Sequence, residues 1–61
     1  MKLEAHRYVV KVKNNARFEL LTTFPAGKRL AAVGYARNIA PLYPGVLVFD
    51  RVTRVAVWRT K

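Results

Sequence analysis

The stretch RFELLTTFPAGKRLAAVGYARNIAP, residues 17–41, changes its apolar period midway, and that change decides the fold. Up to Phe24 the residues alternate, with Phe18, Leu20, Thr22 and Phe24 on one side and Arg17, Glu19, Leu21 and Thr23 on the other. A period of two is the pattern of a half-buried strand. Pro25 ends it. The N–H that proline lacks is not needed in the first turn of a helix, so the same residue can open one. Over residues 26–40, Ala32, Val33, Ala36, Ile39 and Ala40 gather in one arc of a helical wheel, opposite Lys28, Ala31, Gly34, Tyr35 and Asn38. The small residues of the first arc predict a helix lying close against a sheet, and Pro41 stops it.

Before this stretch, HRYVVKVK, residues 6–13, also alternates: Tyr8, Val10 and Val12 point one way, and Arg7, Val9, Lys11 and Lys13 the other. It reads as a strand with a basic outer face. Asn14 and Asn15 supply the turn, because asparagine tolerates left-handed backbone angles. A loop of Lys13, Asn14 and Asn15 pairs Val12 with Ala16, Val10 with Phe18 and Tyr8 with Leu20. A loop shifted to Asn14, Asn15 and Ala16 pairs Val12 with Phe18 and sets Lys11 opposite Glu19. After the helix, PLYPG forms a stiff connection, and residues 46–49 and 55–58 read as strands around a turn at 50–54 that Asp50 caps. With no glycine in that turn, one long bent strand is the alternative. The expected architecture is α+β: β-β-α-β-β, a four-stranded, mostly antiparallel sheet with one helix packed on one face, in a single domain.

Sixty-one residues lie near the lower limit for folding without disulfides, metal or a partner, so a homodimer is one expectation. The 52% hydrophobic content is too high for disorder. No run reaches the roughly 18 apolar residues of a membrane span, and MKLEAHRY lacks a signal-peptide core, so a complete cytoplasmic gene product is expected. Twelve lysines and arginines against three acids give a net charge of +9. Charge of that size in so small a chain favours a polyanionic partner: nucleic acid (DNA or RNA), an acidic protein surface or an anionic membrane, the first two being the partners expected.

Enzyme chemistry lacks parts. There is no cysteine and no serine, one histidine, and three acids (Glu4, Glu19 and Asp50) placed in a tail, a strand face and a turn. These leave no thiolate metal site, no nucleophile–base pair and no paired carboxylates, so neither metal nor cofactor is expected. The segment AGKR has neither the earlier glycine nor the Ser/Thr of a P-loop. What remains is a helix start where Gly27, Lys28 and Arg29 could hold one phosphate, against the plainer reading of solvated cations.

A second candidate is the sheet face away from the helix, with Arg7, Lys11, Lys13 and Arg17 around Val9 and Leu21. On the second hairpin, parity sets either Leu47, Phe49, Ala56 and Trp58 outward, or Val46, Val48, Val55 and Val57. The valine set suits a small-residue helix better, which would leave Phe49 and Trp58 among basic residues. Aromatic side chains in a basic field serve base stacking and phosphate neutralisation; the competing reading is core or dimer packing. A third group, Arg51, Arg54 and Arg59, could grip phosphates or carboxylates as a partner-binding set.

Most of the chain, RYVVKVKNNARFELLTTFPAGKRLAAVGYARNIAPLYPGVLVFDRV, resembles in layout the small early proteins of T7-like bacteriophages, which include an inhibitor of host bacterial RNA polymerase. The shared layout is strand, turn, strand, helix, an aromatic-Pro-Gly connection like Tyr43-Pro44-Gly45, and a last strand carrying arginines. The resemblance implies a phage-encoded protein, with Arg51 and Arg54 at the positions similar to the functional strand arginines. The helix departs from it, being basic at Lys28, Arg29 and Arg37. Two functions are therefore expected: nucleic-acid binding through phosphates, or inhibition of a host enzyme by docking on its acidic surface.

Overall fold

The structure, a computed structural model, describes residues 3–60. After a 3-10 turn at Leu3–His6 come β1 (Tyr8–Asn14), β2 (Arg17–Phe24), α1 (Arg29–Ile39), β3 (Val46–Asp50) and β4 (Val55–Arg59). The strands form one antiparallel sheet in the order β2-β1-β3-β4, so the β-β-α-β-β reading holds. Strands β2 and β3 flank β1, and the chain carries α1 across the sheet to move from one to the other. Backbone bonds from Lys13 N–H to the Gly45 carbonyl (2.7 Å) and from Arg51 N–H to the Arg7 carbonyl (2.9 Å) extend the central β1–β3 ladder at both ends.

The core lies between α1 and one face of the sheet. Ala32 and Ala36 are fully buried, and their short side chains let the helix settle onto Tyr8, Val10, Val12, Val46 and Val48. Burying an aliphatic side chain of this kind contributes about 1.5–3 kcal/mol, and this compact valine set supplies much of it. Phe24, Ile39, Ala40, Tyr43, Val57 and Trp58 close the perimeter. Tyr35 belongs with them more than the helical wheel suggests, since its ring meets Phe24 at 5.7 Å between centroids.

The helix is shorter than residues 26–40. Pro25 instead precedes a 3-10 turn at Ala26–Lys28, whose Lys28 N–H donates to the Pro25 carbonyl at 2.9 Å. Another 3-10 turn, Ala40–Leu42, contains Pro41 and closes the other end of the helix. Tightened turns of this sort satisfy backbone groups that the ends of an α-helix leave unpaired.

The first hairpin adopts neither expected register. Its loop is two residues, Asn15 and Ala16, both with positive φ (54° and 73°), and Asn14 pairs with Arg17, Lys13 with Phe18 and Val12 with Glu19. Two left-handed residues in succession make the turn whose twist matches the flanking strands. That register alone would turn the whole of β2 over. A bulge corrects it: Val10 pairs with Thr22 but Lys11 with Leu20, leaving Leu21 as the extra residue. Thr22 and Phe24 consequently face the helix, whereas Phe18 and Leu20 face away.

The second hairpin repeats the device. Val48 pairs with Trp58 and Phe49 with Ala56, so Val57 is the extra residue. Phe49 points outward with Leu47, while Trp58 sits on the helix side against the core. The expected outward pairing of Phe49 with Trp58 is thereby broken, because a strict alternation cannot accommodate the bulge. A true turn, Arg51–Arg54, replaces the bent-strand alternative, and Arg54 takes the left-handed angle (φ 62°) that a glycine would hold more cheaply.

Asp50 organises that turn. Its Oδ1 accepts from the N–H groups of Val52 at 2.9 Å and Thr53 at 3.4 Å, and its two oxygens receive Arg7 Nε and Nη2, each at 3.0 Å. Only 3% exposed, the carboxylate depends on these donors. The Arg7 guanidinium and, after it, the two turn N–H groups hold its pKa well below the usual range, against the opposing effect of burial.

Alanine at φ 73° costs roughly 1–2 kcal/mol relative to a residue indifferent to handedness, so Ala16→Gly should stabilise the chain by about 1 kcal/mol and raise the thermal midpoint by about 4–8 °C. An unchanged or lowered midpoint would contradict the turn geometry. A carboxyl that titrates lower in the folded chain than in the unfolded one contributes stability at neutral pH, lost as the pH falls through the acid range. The wild-type midpoint should therefore drop between about pH 5 and pH 2 more steeply than that of Asp50→Asn; equal slopes would refute the assignment.

Candidate nucleic-acid interface

The face of the sheet opposite α1 is built by alternation on the two central strands and by the bulges on the two edge strands. Val9, Lys11 and Lys13 come from β1, Phe18 and Leu20 from β2, Leu47 and Phe49 from β3, and Ala56 and Arg59 from β4. Val9 is buried at its centre. Around it Phe18 and Leu20 are 47% and 59% exposed, while Leu30 and Leu42, outside the sheet, are more exposed still. The Lys11 ammonium stands 5.5 Å from the centroid of the Phe49 ring, within reach of a cation–π contact.

Gly45 shapes one end of this surface. A Cβ there would crowd Lys13 Cβ at 3.3 Å and reach ordinary contact with Phe18 Cζ at 3.5 Å, so the bare glycine lets the connection lie close against β1. Beside that ring opens a cleft of about 480 Å³ lined by Phe18, Val46, Leu47, Arg59 and Thr60. A second cleft of about 230 Å³ is lined by Val9, Lys11, Leu20, Phe49 and Arg51. Arg51 thus reaches the sheet face from the turn, and two groups that are separate in the sequence, the strand lysines and the arginines of the second hairpin, meet around Phe49.

The remaining candidate residues lie elsewhere. Arg7 is committed to Asp50, with its guanidinium carbon 5.3 Å from the Tyr8 ring centroid as well. Arg17 pairs with Asn14, on the side of the sheet that carries Val12, because the two-residue turn reverses its expected parity. Lys28 and Arg29 start the helix in the other layer, exposed, with no acidic residue in the first turn and no side-chain cap. Arg54 is exposed in the turn. Trp58 belongs to the core side.

The acids are as informative as the bases. Asp50 is buried in its ion pair, and Glu19 lies opposite Val12 on the helix side, where it accepts from Asn14 Nδ2 at 3.2 Å. Among the described residues no carboxylate stands on the outer face, which carries Lys11, Lys13 and Arg59 and is reached by Arg51. His6, whose Nδ1 lies 2.8 Å from Thr23 Oγ1, ties the N-terminal turn to β2. Among the described residues no group of three His, Cys, Asp or Glu could hold a metal ion, and no helix is long and apolar enough to cross a membrane.

Phe18 and Leu20 are the site residues that alternation misses. Their signal is confined to Leu20-Leu21, where two adjacent leucines let a strand change parity without placing a polar group in the core.

The contrast between the aromatic side chains is measurable in the protein alone. Phe18→Ala should change the stability by less than about 1 kcal/mol, as at other exposed positions, whereas Trp58→Ala should cost about 2–4 kcal/mol through lost packing. Urea denaturation distinguishes them, and equal costs would contradict the assigned faces.

Comparison with known proteins finds no matching family model, no matching curated protein and no matching solved structure.

Proposed function

We propose that this chain is a small, non-enzymatic binding protein that engages nucleic acid through its phosphates, using the open face of the sheet. The observation that carries the reading is the charge on that face: Lys11, Lys13, Arg51 and Arg59 surround Phe18 and Phe49, and no carboxylate stands among them within the described residues. Clustered like charges repel in the free protein, and a polyanion relieves that repulsion while releasing its own condensed counterions. Lys28 and Arg29, in the other layer, add to the general positive field without touching the same ligand. Face-to-face homodimerisation is disfavoured, since it would set these four cations against a second set.

A second reading has one observation in its favour. Leu20 and Leu47 give the face apolar ground between its cations, which suits an acidic protein surface, such as that of a host polymerase engaged by a phage-encoded inhibitor in the host cytoplasm. It would yield one stoichiometric partner and little affinity for free nucleic acid.

Salt dependence tests the first reading. Four phosphate contacts give a slope of log affinity against log salt of about −3 to −4, and Lys11→Ala with Lys13→Ala together should bring it down by about 1.5 to 2. Fluorescence anisotropy with a labelled oligonucleotide at several salt concentrations measures both. Affinity indifferent to salt would overturn the proposal.

A further inference from the structure

We infer that the nucleic acid held on this face is single-stranded, with one base stacked at Phe18 and another at Phe49; this rests on the nucleic-acid reading above and narrows it. Each of the two clefts combines one phenyl ring, one aliphatic wall and one arginine: Phe18, Leu47 and Arg59 in the larger, and Phe49, Leu20 and Arg51 in the smaller. A base offers a flat π-face and its phosphate offers paired oxygens, so ring and guanidinium match the two halves of a nucleotide. The larger cleft, about 480 Å³, falls in the range of roughly 300–1,000 Å³ that encloses small ligands. In the smaller, about 230 Å³, the Lys11 ammonium lies over the Phe49 ring at 5.5 Å, so a base stacking there takes the ammonium's place on the ring and leaves it to the adjoining phosphate.

The spacing of the rings excludes stacking of both on the bases of an intact duplex. Phe18 pairs with Lys13 and Phe49 with Val9, four residues apart along β1 and on strands either side of it. At about 3.3 Å per residue and about 4.8 Å per strand, the two positions are separated by about 16 Å. Bases in a duplex are stacked on one another at about 3.4 Å along each strand, with their faces covered. They cannot present two open faces to rings that far apart, whereas an unpaired strand can splay bases to both. Lys11, opposite Leu20 and Leu47, stands between the two rings, where the backbone joining the two bases must pass. Major-groove reading is closed to this face as well. The major groove, about 12 Å wide, admits a helix or a two-stranded ribbon, but the outer face is a four-stranded sheet about 14 Å across, and α1 is on the far side.

The test compares anisotropy titrations of the intact protein with a labelled oligothymidylate of about twelve nucleotides and with a duplex of about twelve base pairs, at one low salt concentration. The single strand should bind at least about tenfold more tightly. Phe18→Leu and Phe49→Leu, which keep apolar bulk but remove the ring, should each weaken single-strand binding about tenfold and leave duplex binding unchanged. Phe18 is exposed, so its variant reports on stacking even if Phe49→Leu disturbs the fold. Equal affinity for both nucleic acids, or Phe18→Leu binding the single strand as the wild type does, overturns the inference. Where Lys11→Ala with Lys13→Ala still weakens binding in that case, the phosphate reading survives alone. Absence of binding to either nucleic acid removes both.

Discussion

The two-residue turn at Asn15 and Ala16 is the constraint on which the rest of the molecule depends. Left-handed angles at both positions fix the register of β1 against β2, and in that register β2 would carry Phe24 away from the helix. The extra residue at Leu21 restores the far half of the strand to the core, so Phe24 meets Tyr35 and ties the edge strand to α1. The near half stays reversed, with Phe18 and Leu20 outward. A local backbone requirement of the turn thereby creates an apolar surface that core packing would not call for. The extra residue at Val57 does the complementary thing on the opposite edge, turning Trp58 inward under Val48 while Phe49 remains outside.

Charge is distributed to the same effect. A chain with twelve lysines and arginines and three acids has few ways to neutralise itself, and two of those acids, Asp50 and Glu19, are used structurally. Asp50 caps the Arg51–Arg54 turn and binds Arg7 beside it, and Glu19 is held by Asn14 on the helix side. An acid placed among Lys11, Lys13, Arg51 and Arg59 would stabilise the free protein by relieving their mutual repulsion. The proposed function rests on this: phenyl rings and uncompensated cations together complement a partner that supplies both flat bases and negative charge.

Much of the fold was legible from the order of residues. The switch of apolar period at Pro25, the alternation of Tyr8, Val10 and Val12, the alanines at 32 and 36, and the apolar runs at 46–49 and 55–58 place the four strands and the helix and the core face of the central strands, though not the 3-10 turns that shorten the helix. Edge strands were harder. Alternation predicts faces only while the ladder is unbroken, and a bulge at Leu21 or Val57 has no residue type of its own, since leucine and valine fit either side. Ala16 misled for a related reason: a two-residue left-handed turn normally advertises itself with glycine, and alanine conceals it. Lys11, Lys13 and the outward Phe49 were therefore readable, as were Arg51 and Arg59 as basic candidates, whereas the roles of Phe18, Leu20 and Trp58 required the backbone. The ion pair that withdraws Arg7 joins residues 43 apart in the chain, a relation that pattern reading does not reach.

Backbone amide chemical shifts recorded while unlabelled oligothymidylate is added to isotope-labelled protein test the central claim most directly, because they locate the ligand without altering a residue. The account predicts that the perturbed amides cluster at Lys11, Lys13, Phe18, Leu47, Phe49 and Arg59, with Ala32, Ala36 and the rest of α1 unchanged. Perturbations concentrated on the helix start around Lys28 and Arg29, or spread evenly over every basic residue, would contradict it.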